Sequence, residues 1–510
     1  MGRMIIAGDR QRSQQEISAN AARTASGFAA AGVGPDDCIA LMLRNDFALF
    51  EASYAAAMLG AYATPVNWHY TAEEAEYILN DCDAKVLVIH TDLLSGIASA
   101  IPDHVLVLAV PTPDEIATAY RAPVPDTLPD GATDWAEWVG QQDIYTGTPP
   151  AERGTMIYTS GTTGWPKGVR REPMSEAATA QNMRMLDEGF DIPEDASGHR
   201  VLMNGPMYHS APSAYGLAAV KNGAYAVLQP RFDAEDMLRL IEEHRITHMH
   251  VVPTMFVRLL RLPDEVRAKY DVSSLRHVIH GAAPCAPETK RGMIDWWGPV
   301  INEYYGSTEN GIVTIADTPT AMEKRGTVGK AICGNDIRIL DDDGEALPAG
   351  DVGEVYVWRP VRSNFTYHKR QADRDDIEND GYLTNGDMGW LDADGCLFLA
   401  DRKNDMIISG GVNIYPAEIE KVMLGHPSVG DCAVFGIPHE EFGESICAYI
   451  QPAGATPDVG DLKSWMADHL AKFKIPNVIE FAETLPREDS GKIFKRKLRD
   501  PYWEKAGRQI

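Results

Sequence analysis

The chain of 510 residues is long enough for about two to four domains, and its 24% charged and 44% hydrophobic residues are typical of a folded, soluble enzyme. Its 47 basic and 74 acidic residues give a formal net charge of −27, which argues against nucleic acid or an anionic membrane as a partner. The seven cysteines have no zinc-site spacing and no apolar run could cross a bilayer, so we expect a cytoplasmic protein with reduced thiols and no membrane span.

Apolar runs and amphipathic segments begin to alternate near residue 38. Buried strands are predicted at residues 38–43, 85–89 and 105–109, and a helix at residues 47–58. The stretch 111–150 is rich in Pro, Asp and Thr, which predicts a loop-rich connection.

The next feature is a loop, residues 158–168, with the sequence YTSGTTGWPKG. Glycines let backbone N–H groups turn toward an anion, and hydroxyls with one ammonium complete a cradle for polyphosphate. The common P-loop differs, because it needs Gly-Lys-Ser/Thr entering a helix, whereas Pro166 precedes Lys167 here. Pro166 should also keep the loop mobile. The alternative is a surface turn rich in glycine and threonine.

A second series of predicted strands covers residues 201–203, 224–228, 247–252, 276–280 and 300–304, with helices such as Ala234–His244 between them. This alternation predicts doubly wound parallel sheets. Polar segments rich in Gly and Pro follow four strands, at residues 206–211, 253–254, 281–284 and 305–309. Ligands bind outside the carboxyl ends of parallel strands, so these segments should converge on one small-molecule crevice.

The pattern changes after about residue 330. Residues 352–358 and 396–400 are predicted to be antiparallel strands, with Asp394 and Gly395 forming a hairpin turn. A small α+β unit follows residue 401, with predicted helices at Pro416–Leu424 and 461–473. The apolar side chains of the second helix, which end at Phe473, are assigned to a core.

Seven segments together carry a family resemblance. They are residues 159–168, 207–212, 281–287, 305–309, 384–389, 401–420 and 486–492, and in this order they resemble the adenylate-forming acyl-CoA ligase superfamily over the whole chain. The resemblance implies an α/β fold with a large N-terminal domain of two doubly wound sheets and a small distorted β-barrel, residues 1–400. A hinge at 401–404 and a small mobile α+β domain at 405–510 would follow. In that family ATP and a carboxylic acid give acyl-AMP, and the small domain then rotates so that CoA attacks the adenylate.

The resemblance also implies nucleotide-binding residues. Lys167 and neighbouring hydroxyls would hold the β- and γ-phosphates, Thr308 the α-phosphate, and Glu309 with Thr162 a Mg²⁺ ion. The full predicted set for ATP and AMP is Thr159, Ser160, Gly161, Thr162, Thr163, Gly164, Lys167, Gly281, Ala282, Ala283, Tyr305, Gly306, Ser307, Asp387 and Arg402. The alternatives are a surface acid for Glu309, a core tyrosine for Tyr305 and a turn aspartate for Asp387.

Further roles follow for the rest of the site. Lys492 resembles the family's mobile lysine, used in adenylation alone, although the basic run after it also fits a solvated tail. His209 resembles a gate between the acyl pocket and the CoA tunnel, or else a structural histidine. The implied CoA contacts are Gly410, Gly411, Phe473 and Lys474. Two positions depart from the family: the hinge residue, commonly Asp or Lys, is Asn404, and Ile408 stands where related aryl-CoA ligases can carry a lysine.

The acyl pocket is expected to accept a hydrophobic acid: a medium acyl chain, an arylpropenoate or a sterol side chain. Its predicted lining is Tyr208, His209, Ser213, Tyr215, His250, Val252, Ala283, Gly306 and Gly311. The resulting hypothesis is an AMP-forming acid–CoA ligase, which in its family is often a homodimer. The rivals are an acyl-AMP ligase that loads a carrier protein and a nucleotide-binding protein without catalysis.

Overall fold

A computed structural model describes residues 3–125, 127–129, 131–159, 165–361, 364–403, 405–409, 412–487 and 493–505. Within these ranges no helix has both the length and the apolarity needed to cross a membrane. All seven cysteines are free thiols, and six of them are buried, as expected from their scatter.

The first part of the chain forms a parallel sheet of five strands with the order β4-β3-β5-β6-β7. A hairpin of β1 Met4–Ala7 and β2 Arg10–Ser13 comes before this sheet. The strands of the sheet are β3 Cys38–Met42, β4 Tyr62–Pro65, β5 Ala84–His90, β6 Leu106–Val110 and β7 Ala132–Asp134. Its helices are α1 Gln14–Ala30, α2 Phe47–Leu59, α3 Ala72–Asp81, α4 Thr91–Ile97, α5 Asp114–Tyr120 and α6 Trp135–Gly140.

The prediction of a loop-rich connection at residues 111–150 is wrong, because α5, β7 and α6 lie within this stretch. Helix α5 buries only Ile116, and α6 buries only Trp135 and Val139. With so few apolar positions, neither helix has a periodic pattern that could stand out among prolines and acids.

The middle of the chain builds the second parallel sheet, which includes β1. The elements in this part of the chain are β8 Ile157–Thr159, β9 Lys167–Arg171, α7 Glu176–Phe190, β10 Arg200–Met203, α8 Ser210–Lys221, β11 Tyr225–Leu228, α9 Ala234–His244, β12 His248–Val251, α10 Pro253–Leu260, α11 Asp264–Arg267, β13 His277–His280, α12 Pro287–Trp297, β14 Ile301–Ser307, β15 Gly311–Ala316 and α13 Thr318–Glu323. The parallel order is β14-β13-β12-β10-β11-β1, so the two doubly wound sheets predicted from alternating segments are confirmed.

One apolar core joins the two sheets. Helix α2 lies between them and is buried nearly all round, with Phe50, Ala52 and Ala55 at 0% exposure. Leu41 of β3 and Val201 of β10 belong to the same cluster. This shared core holds the sheets as one body, because both bury their apolar faces against the same helices.

The antiparallel strands expected after residue 330 continue the second sheet beyond β14. They are β16 Thr327–Ala331, β17 Asp336–Leu340, β18 Gly353–Trp358, β19 Phe365–Tyr367, β20 Glu378–Asn379, β21 Tyr382–Leu391 and β22 Leu397–Arg402, with helix α14 Gln371–Asp375. The ladder runs β17-β18-β21-β22-β16-β15-β14, and β20 pairs with β21. Gly395 has φ of 77° in the turn between β21 and β22, as the hairpin prediction requires. Strands β19, β9 and β8 form a separate small sheet.

The C-terminal unit is α+β. It contains β23 Ile407–Ser409, β24 Val412–Ile414, α15 Pro416–Leu424, β25 Val429–His439, β26 Gly443–Pro452, α16 Val459–Ala467, β27 Val478–Phe481 and α17 Lys495–Lys505. Its core is separate from the larger ones and includes Ile407, Ile419 and Met466.

The helix predicted at 461–473 is too long, since α16 ends at Ala467. The side chain of His469 lies 2.7 Å from the carbonyl oxygen of Trp465, which the backbone N–H of residue 469 would bond in a longer helix. Phe473, assigned to the core with that helix, is 56% exposed, so this assignment is wrong.

Candidate active site

The polar segments that follow β10, β12 and β13 lie at the same edge of the second sheet. These strands are parallel in register, so their carboxyl ends meet at that edge. The helices α8 and α10 begin there, at Ser210 and Pro253. One correction concerns the segment 305–309: Tyr305, Gly306 and Ser307 are still part of β14, and only residues 308–310 form the turn to β15.

Small residues at this edge are required by close packing. A Cβ at Gly306 would lie 2.2 Å from the carbonyl oxygen of Gly311, across a bulge in the β14–β15 ladder. A Cβ at Gly281 would lie 2.4 Å from the ring of Tyr304. Ala282, directly after it, has φ of 65°, a backbone conformation that is costly for a residue with a side chain. Such strain is often found where backbone faces a ligand.

Three of the predicted nucleotide residues are joined. The hydroxyl of Tyr305 donates to Asp387 Oδ2 at 2.7 Å, and Arg402 Nε lies 3.4 Å from Asp387 Oδ1. Asp387 and Arg402 face each other across the β21–β22 pair, which fixes this contact. Burial, followed by the nearby carboxylate of Asp387, raises the pKa of Tyr305 well above its usual value. The side chain of Arg402 is 56% exposed, so this cation is open to a ligand in solvent.

The predicted phosphate residues form a second joined group. Lys167, the first residue of β9, makes an ion pair of 2.7 Å with Asp373 and lies 5.3 Å from the ring centre of Tyr367. The hydroxyl of Tyr367 donates to Glu309 Oε1 at 3.0 Å. Lys167 and Glu309, 142 positions apart in sequence, therefore flank one tyrosine.

The turn that carries Thr308 and Glu309 is held by hydrogen bonds to its backbone. Arg171, at the end of β9, donates to the carbonyl oxygens of Thr308 and Glu309. Burial lowers the pKa of Arg171, against the opposing effect of Glu309. A buried guanidinium on two backbone carbonyls fixes the turn in position.

The described end of the glycine-rich loop is anchored to α3. Trp165 stacks on Tyr77 with ring centres 4.6 Å apart, and the hydroxyl of Tyr77 donates to the carbonyl of Pro166 at 3.0 Å. Mobility was expected around Pro166, and at this end these contacts oppose it. The predicted residues Ser160, Gly161, Thr162, Thr163 and Gly164 lie outside the described residues.

Predicted acyl-pocket residues gather around an aromatic side chain that the sequence did not point to. Phe190, the last residue of α7, is edge-on to Tyr215, His250 and Tyr304, with ring centres 5.5, 6.0 and 5.9 Å away. His250 Nε2 lies 3.0 Å from the hydroxyl of Tyr304. The buried hydroxyls of Tyr215 and Ser213 have no hydrogen-bond partner. We call the cluster of Phe190, Tyr215, His250 and Tyr304 the acyl wall. The hydroxyl oxygens of Tyr215 and of nearby Ser213 are its two unsatisfied polar atoms among the described residues.

His209 lies beside that wall. It is the N-cap of α8, and its ring centre is 4.3 Å from that of Tyr208. Burial, with a smaller effect of His209, lowers the pKa of His250 to about 4, so His250 is neutral at pH 7. Tyr208 in turn is edge-on to Trp68 at 4.5 Å.

Of the remaining acyl-pocket predictions, Ala283 lies in the segment after β13, and Val252 and Gly311 lie at the ends of elements. Val252 is the buried N-cap of α10, and Gly311 begins β15 with φ of 66°. A Cβ at Gly311 would lie 2.8 Å from Met185 Sδ of α7. Gly311 therefore packs against α7, the helix that ends in Phe190, whereas Val252 belongs to a separate apolar cluster with Leu202 and Met255.

The small domain touches the large one at the mouth of the crevice. Arg261, at the end of α10, donates to the carbonyl of Gly430 at 2.6 Å. Arg487 of the small domain makes an ion pair of 2.8 Å with Asp431 and lines a cavity of about 170 Å³ with Asn204 and Pro206 of the large domain. The predicted lysine, Lys492, follows five positions later and, like Asn404, Gly410 and Gly411, lies outside the described residues.

Other basic residues of the small domain are structural in part. Lys474 pairs with Glu418 at 2.6 Å, and its neighbour Phe473 is exposed. Lys495 pairs with Glu420 at 2.8 Å. Burial would lower the pKa of Lys495, but Glu420 and nearby aspartates outweigh it and raise that pKa. The run after Lys492 is thus not simply the solvated tail considered from sequence, since Lys495 is held in an ion pair.

Four residues of the site escaped sequence reasoning: Phe190, Arg171, Tyr367 and Asp373. Phe190 had no motif around it, and Tyr367 and Asp373 lie in segments without a recognisable spacing. Arg171 had a nearby signal, because it follows the glycine-rich loop by three positions.

The sequence and the fold match those of known proteins. The sequence model of the family described as AMP-binding enzyme matches residues 3–365, and that of its C-terminal domain matches residues 418–492. A feruloyl-CoA synthase from Amycolatopsis sp is 33% identical over 95% of this chain and 92% of its own length. The fatty acid–[acyl-carrier-protein] ligase ScoC from Streptomyces coeruleorubidus is 30% identical over 99% of this chain and 94% of its own length.

A solved structure of similar shape is o-succinylbenzoate CoA synthetase (MenE) from Bacillus subtilis, in complex with an acyl-adenylate intermediate. It is 27% identical, with a TM-score of 0.78, and the match covers 98% of this chain and 95% of that one.

Proposed function

The chain belongs to the AMP-binding enzyme family, and from this premise we propose that it is an AMP-forming acid–CoA ligase acting on a hydrophobic carboxylic acid. The observation that carries the proposal is the meeting of two groups at the end of β14. The Tyr305–Asp387–Arg402 group suits a ribose and phosphate, and the Lys167–Tyr367–Glu309 group suits a polyphosphate.

In the first half-reaction an oxygen of the acid attacks the α-phosphorus of ATP. A bond forms between that oxygen and phosphorus, and the bond to pyrophosphate breaks. The attacking and attacked groups are both negative, so positioning and charge neutralisation dominate the barrier. Lys167 at the phosphates, Arg402 at the ribose side and Lys492 between acid and α-phosphate are the cations proposed for this task. In the free protein Asp373 forms an ion pair with the ammonium group of Lys167. This ion pair must break when the triphosphate binds.

A Mg²⁺ ion fits the donors of this site. Glu309 offers a carboxylate oxygen beside Lys167, and hard oxygen ligands with waters and phosphate oxygens are what Mg²⁺ prefers. Thr162 would be a further oxygen donor. When bound, the ion neutralises phosphate charge that the protein's own few cations leave uncompensated.

In the second half-reaction the sulfur of CoA attacks the acyl carbonyl carbon, and AMP leaves. The small domain must first turn, since Lys492 and the incoming thiol need the same side of the adenylate. Gly410 and Gly411 are proposed to let the pantetheine pass, and Phe473, exposed on the small domain, to contact CoA. His209 is proposed to gate the passage between the acyl pocket and the thiol.

For the acid itself, an aromatic carboxylic acid with a polar ring substituent is favoured. Edge-on aromatic packing around Phe190 suits another ring, and the unpartnered hydroxyls of Tyr215 and Ser213 suit a ring hydroxyl or methoxy group. A plain alkyl chain would leave both hydroxyls unsatisfied.

A panel of acids tests the proposal. With ATP, Mg²⁺ and CoA, the purified protein should release AMP with a hydroxycinnamate at least about 10-fold faster, in kcat/KM, than with octanoate. Pyrophosphate exchange into ATP should depend on the same acids. Release of AMP with a phosphopantetheinyl carrier protein but not with CoA would favour the carrier-loading alternative. Absence of any acid-dependent exchange would favour the non-catalytic one.

Lys492 is tested by separating the half-reactions. Lys492→Ala should lower pyrophosphate exchange by at least about 100-fold, because the acid–phosphate approach loses its cation, yet should spare thioester formation from supplied acyl-AMP. Lys497→Ala is the matched control, since Lys497 is an exposed lysine on the same domain. Normal exchange in the Lys492 variant would remove this lysine from the mechanism.

A further inference from the structure

Three residues with metal-binding side chains lie at the opposite edge of the second sheet from the candidate active site. His199 directly precedes β10, and His248 is the first residue of β12. Asp191 follows the last residue of α7. Parallel strands β10 and β12 start side by side, which brings the two histidines together.

The donor atoms of this cluster face one another. One ligand atom from each of Asp191, His199 and His248 can be chosen so that all three lie within 4.8 Å of one another. His248 Nε2 is 2.9 Å from Asp191 Oδ2, and the ring centres of His199 and His248 are 4.0 Å apart. His277 of β13 stacks on the other side of His248, with ring centres 6.1 Å apart.

The hydrogen bonds around His248 orient its ring. Thr247 Oγ1 donates to the carbonyl of Arg200 at 3.3 Å and lies 2.6 Å from His248 Nδ1. The Thr247 hydroxyl thus holds His248 Nδ1, and His248 Nε2 faces the Asp191 carboxylate. A second-shell hydrogen bond of this kind is usual for a metal-ligating histidine.

A second observation distinguishes a ligand site from a simple ion pair. The Nδ1 atom of His199 is shielded from solvent and has no hydrogen-bond partner. A shielded imidazole nitrogen without a partner is costly, and this atom is therefore available to a ligand. The site is also reachable, because the Asp191 side chain is 49% exposed while that of His248 is 4% exposed.

The geometry points to a binding site for one divalent transition-metal ion of the zinc class, held by Asp191, His199 and His248. Two imidazoles and one carboxylate suit Zn²⁺, whose fourth position a water can fill. The three ligand atoms lie within 4.8 Å of one another, and ligand atoms around tetrahedral zinc lie about 3.3 Å apart, so side-chain rotation has at most about 1.5 Å to close. No part of the ATP, acid or CoA site is shared.

Metal binding would join three separate pieces of the fold: the end of α7 and the starts of β10 and β12. Phe190, the centre of the acyl wall, is adjacent to Asp191 in sequence. The ion would therefore fix the end of α7 from outside the pocket.

The test is zinc titration of the full chain after chelator treatment, with any affinity tag removed and without ATP. Calorimetry should give one site with a Kd of about 1 µM or tighter. Saturating zinc should raise the Tm by about 2 °C. Cobalt in place of zinc should give the intense visible absorption of a tetrahedral site.

His199→Gln and Asp191→Asn should each weaken binding at least about 10-fold. His104→Gln, an exposed histidine far along the chain, and Glu309→Gln, at the predicted Mg²⁺ position, should bind as the unchanged protein does. Circular dichroism shows whether each variant is folded, and His199→Gln removes a half-buried side chain, so it should fold. A Kd weaker than about 100 µM, or equal binding by His199→Gln, overturns the site. So does an octahedral cobalt spectrum in the unchanged protein.

Discussion

At the scale of single residues, two neighbouring tyrosines have different partners. Tyr305 donates to Asp387 in the nucleotide group, whereas the hydroxyl of Tyr304 lies beside His250 in the acyl wall. Adjacent positions on a strand point to opposite faces, so β14 would separate the two proposed binding sites. This pair therefore allows the two binding functions to be tested separately.

Tyr305→Phe should raise the KM for ATP about 10-fold, because Asp387 loses a charge-assisted hydrogen bond that orients it. The KM for the acid should change little. Tyr304→Phe, the matched control, should show the reverse pattern in steady-state kinetics. Equal effects of both changes on ATP would contradict the division.

Asp373 is the second residue with a measurable consequence. It holds Lys167 at 2.7 Å, and ATP must break this contact before its phosphates reach the lysine. Asp373→Asn should lower the KM for ATP about 3-fold, since a partly exposed ion pair contributes under about 1 kcal/mol. Asp375→Asn changes an exposed acid on the same short helix and serves as the control. An increased KM in the Asp373 variant would show that this carboxylate supports ATP binding instead.

At the scale of elements, the hairpin of β14 and β15 requires a residue without a side chain at position 306. Gly306→Ala should lower the free energy of unfolding by about 3 kcal/mol and abolish adenylation, because the added carbon must push apart two backbones. Gly198→Ala is the control, because a Cβ there meets nothing within 4 Å. Thermal unfolding and pyrophosphate exchange measure the two effects. Unchanged stability in the Gly306 variant would mean that the ladder shifts freely at the bulge.

Sequence patterns predicted several elements that bury many apolar residues and missed α5, β7 and α6, which bury few, although α1 was also missed and buries Ile17 and Phe28. Strand β3 was found because its five residues form one apolar run, and helix α9 because its burial follows the helical period. Helix α5 was missed because it buries one residue, and α16 was made too long because a side chain of His469 competes for a backbone carbonyl.

The candidate site shows the same limit. Motifs located Lys167, Tyr305, Asp387 and Arg402, and the structure then supplied the contacts that join the last three. Phe190 could not be found in that way, because its role depends on three residues from distant segments. The local spacing of residues in a sequence does not reveal contacts between distant segments.

At the scale of the whole molecule, the small domain is held against the large one by few described contacts. Arg261 reaches the carbonyl of Gly430, and Arg487 enters a cavity beside Asn204. Arg487 precedes Lys492 by five positions, so we expect this arrangement to be the one that serves adenylation. So few contacts would leave the small domain free to turn, as the proposed alternation between half-reactions requires.

Arg261→Ala should therefore slow pyrophosphate exchange about 5-fold, because the adenylation arrangement loses one hydrogen bond. Thioester formation from supplied acyl-AMP should stay the same or become faster. Arg267→Ala, beyond the same helix and paired with exposed Asp264, is the control. Equal loss in both half-reactions would mean that Arg261 acts on the fold and not on the domain arrangement.

The two substrate groups are built from different kinds of structure. Tyr305, Asp387 and Arg402 are positioned by strand pairing, while Phe190 and Tyr215 are side chains of helices α7 and α8. Backbone pairing tolerates few mutations, but side chains along a helix face can be exchanged with only local repacking. Proteins built in this way can therefore diverge in the acids that they accept while their nucleotide-binding residues stay the same.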